Sequence, residues 1–487
     1  MAGLVRSGEV SPKDLLNACF ERIDQRDPAL NAVIHRMYEQ ALASLDILPD
    51  GPLKGVPFLV KDLVSDVKGE PLRHGARYWK DFVSKYDAEL VVRYRKAGLV
   101  LAGKTNTPEF GLQPTTEPLL FGPTHNPWDL TRTPGGSSGG SAAAVSAGYV
   151  PAAHAGDGGG SIRIPASCCG LFGMKPTRAR TPAGPLKAPG WNGATVEHVV
   201  TRSVRDSAVI LDATAGPDTG APYYPPPPER PFLDEVSRDP KPLRIAFTGR
   251  PFLSDSVDPE CLDALSDAAS LLESLGHTVV EDAPVLEGEA FADAFVIVLA
   301  GEISSLVRAG EQATGRRARY HDFEPVTWAL YNLGMATTAA DFQLANRRIA
   351  LETRKVGQFF QGYDVLLTPT LARLPLKLGT LAPSRIEEVV GRMVRTLRAG
   401  KLLRAAGAVR EMATRSFDFV PFTPVFNATG QPAMSVPLFW KDHLPVGVQL
   451  VGPYAGESLL FQLAGQLERA RPWFDRRPPD FSDKTHD

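Results

Sequence analysis

Apolar and polar positions alternate along this chain in a way that separates short buried runs from amphipathic stretches. Ser11 before Pro12 has the form of a helix cap followed by a first-turn proline. Leu15, Leu16, Cys19, Phe20 and Ile23 then recur at helical spacing, which predicts a helix over 12–25. From about residue 50 the pattern shortens. GVPFLV (55–60) predicts a strand, AELVVRYRKAG (88–98) a helix and LVLAG (99–103) a strand. SGGSAAAVSAGY (138–149) predicts a helix of small, closely packed residues, and VPAAHAGD (150–157) a buried strand.

The proline-rich PYYPPPPERP (222–231) lies inside an extended connector at about 216–242. Beyond it a second series alternates strands LRIAF (243–247), TVVED (278–282), DVLLT (364–368) and VGVQLV (446–451) with helices at 258–275 and 340–360. This alternation on both sides of the connector predicts an α/β protein with a buried sheet. One basic, helix-prone segment stands apart at 387–415, with Val390, Met393, Val394, Leu397 and Leu402 as an apolar stripe. A lid over a site, a partner surface, a membrane-surface helix and a solvated face all fit that pattern.

With 487 residues, 43% apolar and 22% charged, the chain has the make-up of an ordinary globular protein. A net charge of −2 argues against a protein built around a nucleic-acid backbone. The first residues lack the basic and apolar regions of a signal peptide, and the spacing of charges leaves no evident bilayer-spanning run, so no stable membrane insertion is expected. Four cysteines (Cys19, Cys168, Cys169 and Cys261) are too few for a disulfide framework, which makes a reducing cytoplasm the expected compartment.

GLVLAGKT (98–105) formally fits a phosphate loop, but its four middle residues are the apolar strand itself and Pro108 interrupts any helix after Lys104. Nucleotide binding is not expected there. HAGDGGGSIRIPAS (154–167) is more informative. Gly158, Gly159 and Gly160 before Ser161 offer a row of unhindered N–H groups, an anion nest where the oxyanion of an attacked carbonyl would form. A serine nucleophile needs a base, and the nine histidines form no recognisable triad motif. The chain also has a serine-rich turn, PGGSSGGS (134–141), and Lys61 at the end of a strand beside Phe58, Leu59 and Val60. A lysine acts as base only when neutral, and apolar burial favours that form.

VKD, PGGSSGGSAAAVSAG and GDGGGSIRIPASCCGLFGMKPTR, in that order over about residues 50–210, closely resemble the amidase signature family. Ser137 and Ser161 stand 24 positions apart, as that pattern requires, and FTPVFNATGQPAMSVP (422–437) with LPVGVQLVGP (444–453) extends the resemblance over most of the chain. It implies a single domain over 1–487 with a large mixed sheet covered by helices on both faces, and a lid-like helical segment at about 383–416. It also implies Ser161 as nucleophile, Ser137 as proton relay after a cis peptide, Lys61 as base, and the N–H groups of residues 158–161 as oxyanion hole. No metal and no cofactor are implied.

Asp157 and Arg163 are expected to fix the loop, and Cys168 and Cys169 to be small buried hydrophobes. SIRIPAS, where amidotransferase subunits commonly read S-I-R-Q, favours a stand-alone hydrolase; an ammonia-releasing subunit and a non-catalytic binding member are the other readings. With HDFEPVTWALYNLGM (321–335), the chain resembles the branch containing 6-aminohexanoate cyclic-dimer hydrolases, aryl acylamidases and urethanases. The expected partner is a small amide or carbamate, with the enzyme a monomer or homodimer. Phe323, Trp328, Leu330 and Tyr331 are expected near the pocket, and Leu112 and Gln113 on its acyl side.

Overall fold

A computed structural model describes residues 1–382 and 408–479. Its strands are β1 (Val33–Arg36), β2 (Val56–Lys61), β3 (Leu99–Thr105), β4 (Ala152–Asp157), β5 (Phe172–Lys175), β6 (Val196–Thr201), β7 (Arg244–Phe247), β8 (Thr278–Glu281), β9 (Val365–Pro369), β10 (Ala433–Lys441) and β11 (Leu444–Val451). Among the described residues they form one eleven-stranded sheet in the order β1-β3-β2-β4-β6-β5-β10-β11-β9-β7-β8. β3, β2 and β4 run parallel, as do β9, β7 and β8; the pairs between these groups are antiparallel. The sheet therefore carries both alternating series, and the proline-rich connector does not divide it.

The parallel strands read as continuous apolar runs because both faces are buried. Leu59, Val100 and Ala102 pack on the helices Pro12–Leu30, Gly139–Ser146 and Arg163–Cys169. Their neighbours Phe58, Val60, Leu99 and Leu101 point the other way, onto the helix Glu89–Lys96 and Ile210. The first of these helices begins where the sequence predicts: Ser11 Oγ accepts the Asp14 N–H at 3.1 Å, and the Asp14 carboxylate accepts the Ser11 N–H in return. It runs on to Leu30 through Pro28, which costs one internal N–H, and stops at Asn31 in the left-handed conformation.

One expectation changes. The apolar helix Gly288–Thr314 is long and apolar enough to cross a membrane by length and composition. Glu289, Asp293 and Glu302 hide it in the sequence, and here Phe291, Phe295, Val298, Ile303 and Val307 bury one face of it within the fold. Of the basic segment 387–415, residues up to 407 lie outside the described residues; the remainder belongs to a helix, Ala408–Phe419. The phosphate-loop match is a buried strand, β3, and Lys104 Nζ donates to the Ser65 carbonyl at 3.0 Å.

Candidate functional site

Lys61 ends β2, Asp157 ends β4, and Ser137 and Ser161 precede the helices Gly139–Ser146 and Arg163–Cys169, so the topology brings these residues to one end of the parallel strands. That is where open α/β sheets place ligands. The Gly136–Ser137 peptide is cis. Lys61, 1% exposed, places Nζ 2.7 Å from Ser137 Oγ and 3.0 Å from Ser138 Oγ. Burial pushes its pKa down to about 8, against the charges of Glu197 and Asp157, which act to raise it. At that value about a tenth of the lysine is neutral at pH 7, against about one part in three thousand for an ordinary lysine.

Ser138 was invisible as a partner in the sequence, although it sits beside Ser137. Its hydroxyl also donates to the Gly156 carbonyl at 3.2 Å, which ties the turn to β4. Ser161 shares the wall of one cleft with Lys61 and Ser137. Among the described residues its Oγ has no hydrogen-bond partner, so the Lys61–Ser137 contact is formed and a Ser137–Ser161 contact is not.

Behind Lys61 lies a second arrangement. The imidazole of His154, fully buried, accepts the Lys61 N–H through Nδ1 at 3.3 Å and faces Glu197 Oε2 from Nε2 at 2.9 Å. Burial lowers the His154 pKa, so the ring is neutral, and the Nδ1 acceptor fixes the proton on Nε2, where it is donated to Glu197. Gly156 makes room for that carboxylate: a Cβ there would lie 2.4 Å from Glu197 Oε2.

The glycine loop is held from beneath. Arg163 and Asp157, both fully buried, pair at 2.9 and 3.0 Å; Asn427 donates to the Asp157 carboxylate and carbonyl at 2.8 Å each. Against the cost of burial, the Arg163 and Lys175 charges and the hydrogen bonds from Arg163 and Asn427 hold Asp157 at about 2, below the usual carboxylate range. Asp157 in turn accepts the N–H of Gly160 at 2.7 Å and of Ile162 at 3.1 Å. Gly160 is thus corrected as an oxyanion donor: its N–H is already used inside the loop. Among the described residues the N–H groups of Gly158, Gly159 and Ser161 have no partner.

Each of the three glycines answers a different constraint. Gly160 has φ +125° and a Cβ would meet Thr423 Oγ1 at 2.3 Å; at Gly158 it would meet the Trp191 ring at 2.8 Å; at Gly159 it would meet nothing within 4 Å. Gly159→Ala is therefore expected to fold with an unfolding midpoint near the parent's yet lose activity, because its methyl enters the space a substrate needs. Gly160→Ala is expected to lose stability by about 1–3 kcal/mol. Thermal melts beside turnover check this, and equal melting losses in both variants would contradict it.

Leu112 and Gln113 line an apolar cavity with Gly111, Gly159 and Ser161. Leu330 borders it too, and so do Ala413, near the end of the basic segment, and Phe417, further along the same helix. Phe323, Trp328 and Tyr331 do not line it. Phe323 stacks on Tyr78 at 5.3 Å and on Trp328 at 6.1 Å, and Trp328 packs on Tyr331 at 5.0 Å, an aromatic cluster behind the wall. Cys168 and Cys169 are fully buried, and burial pushes both thiols up, out of reactive range. Among the described residues no group of three His, Cys, Asp or Glu side chains could hold a metal ion.

The chain belongs to the amidase signature family: the family model Amidase matches residues 14–461, and the protein is a hydrolase of that family. It is 38% identical over 485 residues to 6-aminohexanoate-cyclic-dimer hydrolase of Pseudomonas sp. (strain NK87), covering 98% of this chain and 95% of that protein. A solved structure of 6-aminohexanoate cyclic dimer hydrolase superposes with a TM-score of 0.88 at 36% identity, over 98% of this chain and 97% of that one. A bacterial aryl acylamidase superposes with a TM-score of 0.85 at 26% identity, over 99% and 98%.

Proposed function

We propose that the protein hydrolyses small, partly apolar amides or carbamates through an acyl-enzyme on Ser161. The observation that carries this reading is the fully buried Lys61 Nζ, 2.7 Å from Ser137 Oγ on a cleft wall shared with Ser161. Neutral Lys61 takes the Ser137 proton while Ser137 takes that of Ser161, whose Oγ bonds to the substrate carbonyl carbon. The N–H groups of Gly158, Gly159 and Ser161 receive the oxyanion. The proton returns from Lys61 through Ser137 to the nitrogen as the C–N bond breaks. Water then repeats the sequence on the acyl-enzyme and frees the acid and Ser161. Ile164, which lines the apolar cavity, leaves no amide side chain at that position and favours a stand-alone hydrolase. Stoichiometric labelling of Ser161 by an aryl carbamate or fluorophosphonate, read by peptide mass, is the expected result; folded protein left unlabelled there would overturn the reading.

The base must be neutral, and Lys61 becomes neutral as pH rises through about 8. kcat/KM is therefore expected to climb roughly tenfold per pH unit below that value and to level off above it. Glu197→Gln removes a charge that stabilises the ammonium, so this ascending limb moves to lower pH. A limb that stays in place would show that Glu197 does not act on the base.

A further inference from the structure

Trp191 stands between two spaces that meet at Ser161. One is the apolar cavity with Leu112, Ile164, Phe295, Leu299 and Leu330; the other is the larger cleft that holds the charged residues Lys61 and Glu197, with Ser137. Ser137 and Lys61 border only this larger cleft. On the proposed proton path, on which this inference rests, the leaving nitrogen receives its proton there. The acyl part then lies in the apolar cavity and the amine part in the cleft.

The charged groups that line the cleft are nearly all engaged within the protein. Lys61 faces Ser137 and Ser138, Asp157 pairs with Arg163, and Glu197 with His154. Asp66 pairs with Lys187 at 2.6 Å, and Asp218 accepts the Gly184 N–H. Glu302, on the long helix Gly288–Thr314, and Asp218 are the two that no cation pairs with among the described residues, and of these Glu302 is the one held against Trp191, where the two spaces meet. Its carboxylate accepts a single hydrogen bond, from the Trp191 N–H at 3.3 Å, and no cation pairs with it among the described residues. Burial acts to raise its pKa, which states the same cost of holding a part-desolvated charge with so little to compensate it. An ammonium brought by the substrate would supply what the protein withholds, and a substrate carboxylate would be repelled.

We propose that Glu302 is a specificity-determining residue that selects amides whose leaving amine carries a second, cationic nitrogen, such as monoacylated short diamines, and rejects leaving groups that end in a carboxylate. The competing role is structural: Glu302 could serve only to anchor Trp191, whose backbone is left-handed at φ 48°. Glu302→Gln separates the two, because an amide oxygen still accepts the Trp191 N–H while the charge is gone.

The test uses one acyl group on three leaving amines of matched length: a diamine, an alkylamine and an ω-amino acid, over a series of lengths. For the parent enzyme the diamine amide is expected to exceed the alkylamide by about tenfold in kcat/KM at the best length, with the amino-acid amide below both. In Glu302→Gln these ratios fall to near one, through KM rather than kcat. Ratios that survive the substitution, or a parent enzyme with no preference, would overturn the assignment. Calorimetric binding of the free diamine to the full chain reads the same contact without turnover, and weaker binding in Glu302→Gln is expected. Equal affinity in both proteins would sink the proposal. Diamine binding that depends on Glu302 in a protein that cleaves none of the three amides would instead sink the Ser161 reading and leave Glu302's recognition of the cation standing.

Discussion

Ser161→Ala is expected to lower kcat/KM by about four orders of magnitude or more while leaving the thermal unfolding midpoint near that of the parent. The loss is large because the substitution removes the atom that would bond to the carbonyl carbon, and nothing else in the cleft can replace it. Lys61 and Ser137 are committed to each other, and Cys168 and Cys169 are buried thiols held protonated. The fold is expected to survive because the loop does not depend on this hydroxyl. Asp157, Arg163 and Asn427 hold it from beneath, and Ser161 Oγ has no partner among the described residues. Anilide turnover with a melt on the same sample is the measurement. Residual activity above about one per cent of the parent, at native purity, would place the nucleophile elsewhere.

How far the sequence could be read depended on what each residue's environment repeats locally. β2 and β3 were legible because a strand buried on both faces shows an apolar run, and the helix from Pro12 because its capping residues are adjacent in sequence. β6 was not, since Glu197 and His198 interrupt it with polar side chains whose partners lie outside the strand: His154 on β4 for Glu197, and Ser207 on the helix Val204–Thr214 for His198. β10 carries Pro437, and its register with β11 shifts between Val436 and Phe439, so a strand pattern broken by proline becomes a bulge. Lys61, Ser137 and Ser161 were legible as a set of motifs. The engagement of the Gly160 N–H by Asp157, three residues away, was not, because a glycine run advertises free N–H groups without saying which of them the loop consumes. Glu302 carried no local signal at all. Its meaning comes from Trp191, 111 positions away, and from the cations it lacks.

The same contrast separates two kinds of buried charge around the cleft. Asp157 is buried and still held at about 2, because the Arg163 guanidinium, the Asn427 amide and the N–H groups of Gly160 and Ile162 face it; it can fix a loop and cannot take a proton. Lys61 is buried and faces only hydroxyls, with Glu197 and Asp157 too distant to pair with it directly, so its proton is loosely held. One environment makes a structural ion and the other makes a base.

Lys61→Ala follows from that difference and is expected to lower kcat/KM on the order of a thousandfold or more at neutral pH. Two effects add. The base is lost, and the Ser137 hydroxyl loses the group that orients it, so the relay to Ser161 fails even if the nucleophile is untouched. Truncation also leaves a hole the size of a short alkylamine beside Ser137, Ser138 and Glu197. Added methylamine or ethylamine should therefore restore part of the activity in proportion to the concentration of its neutral form, and so more strongly as pH rises. Lys61→Arg keeps a positive charge but cannot surrender a proton below about pH 12, so it should be as inactive as the alanine variant and should not respond to amine. If Lys61→Arg retained substantial turnover, the positive charge alone would suffice and the proton path through Ser137 would be wrong. If Lys61→Ala fell by less than tenfold at neutral pH, another group must accept the Ser161 proton, and His154, already neutral and hydrogen-bonded to the Lys61 backbone, would be the first to substitute.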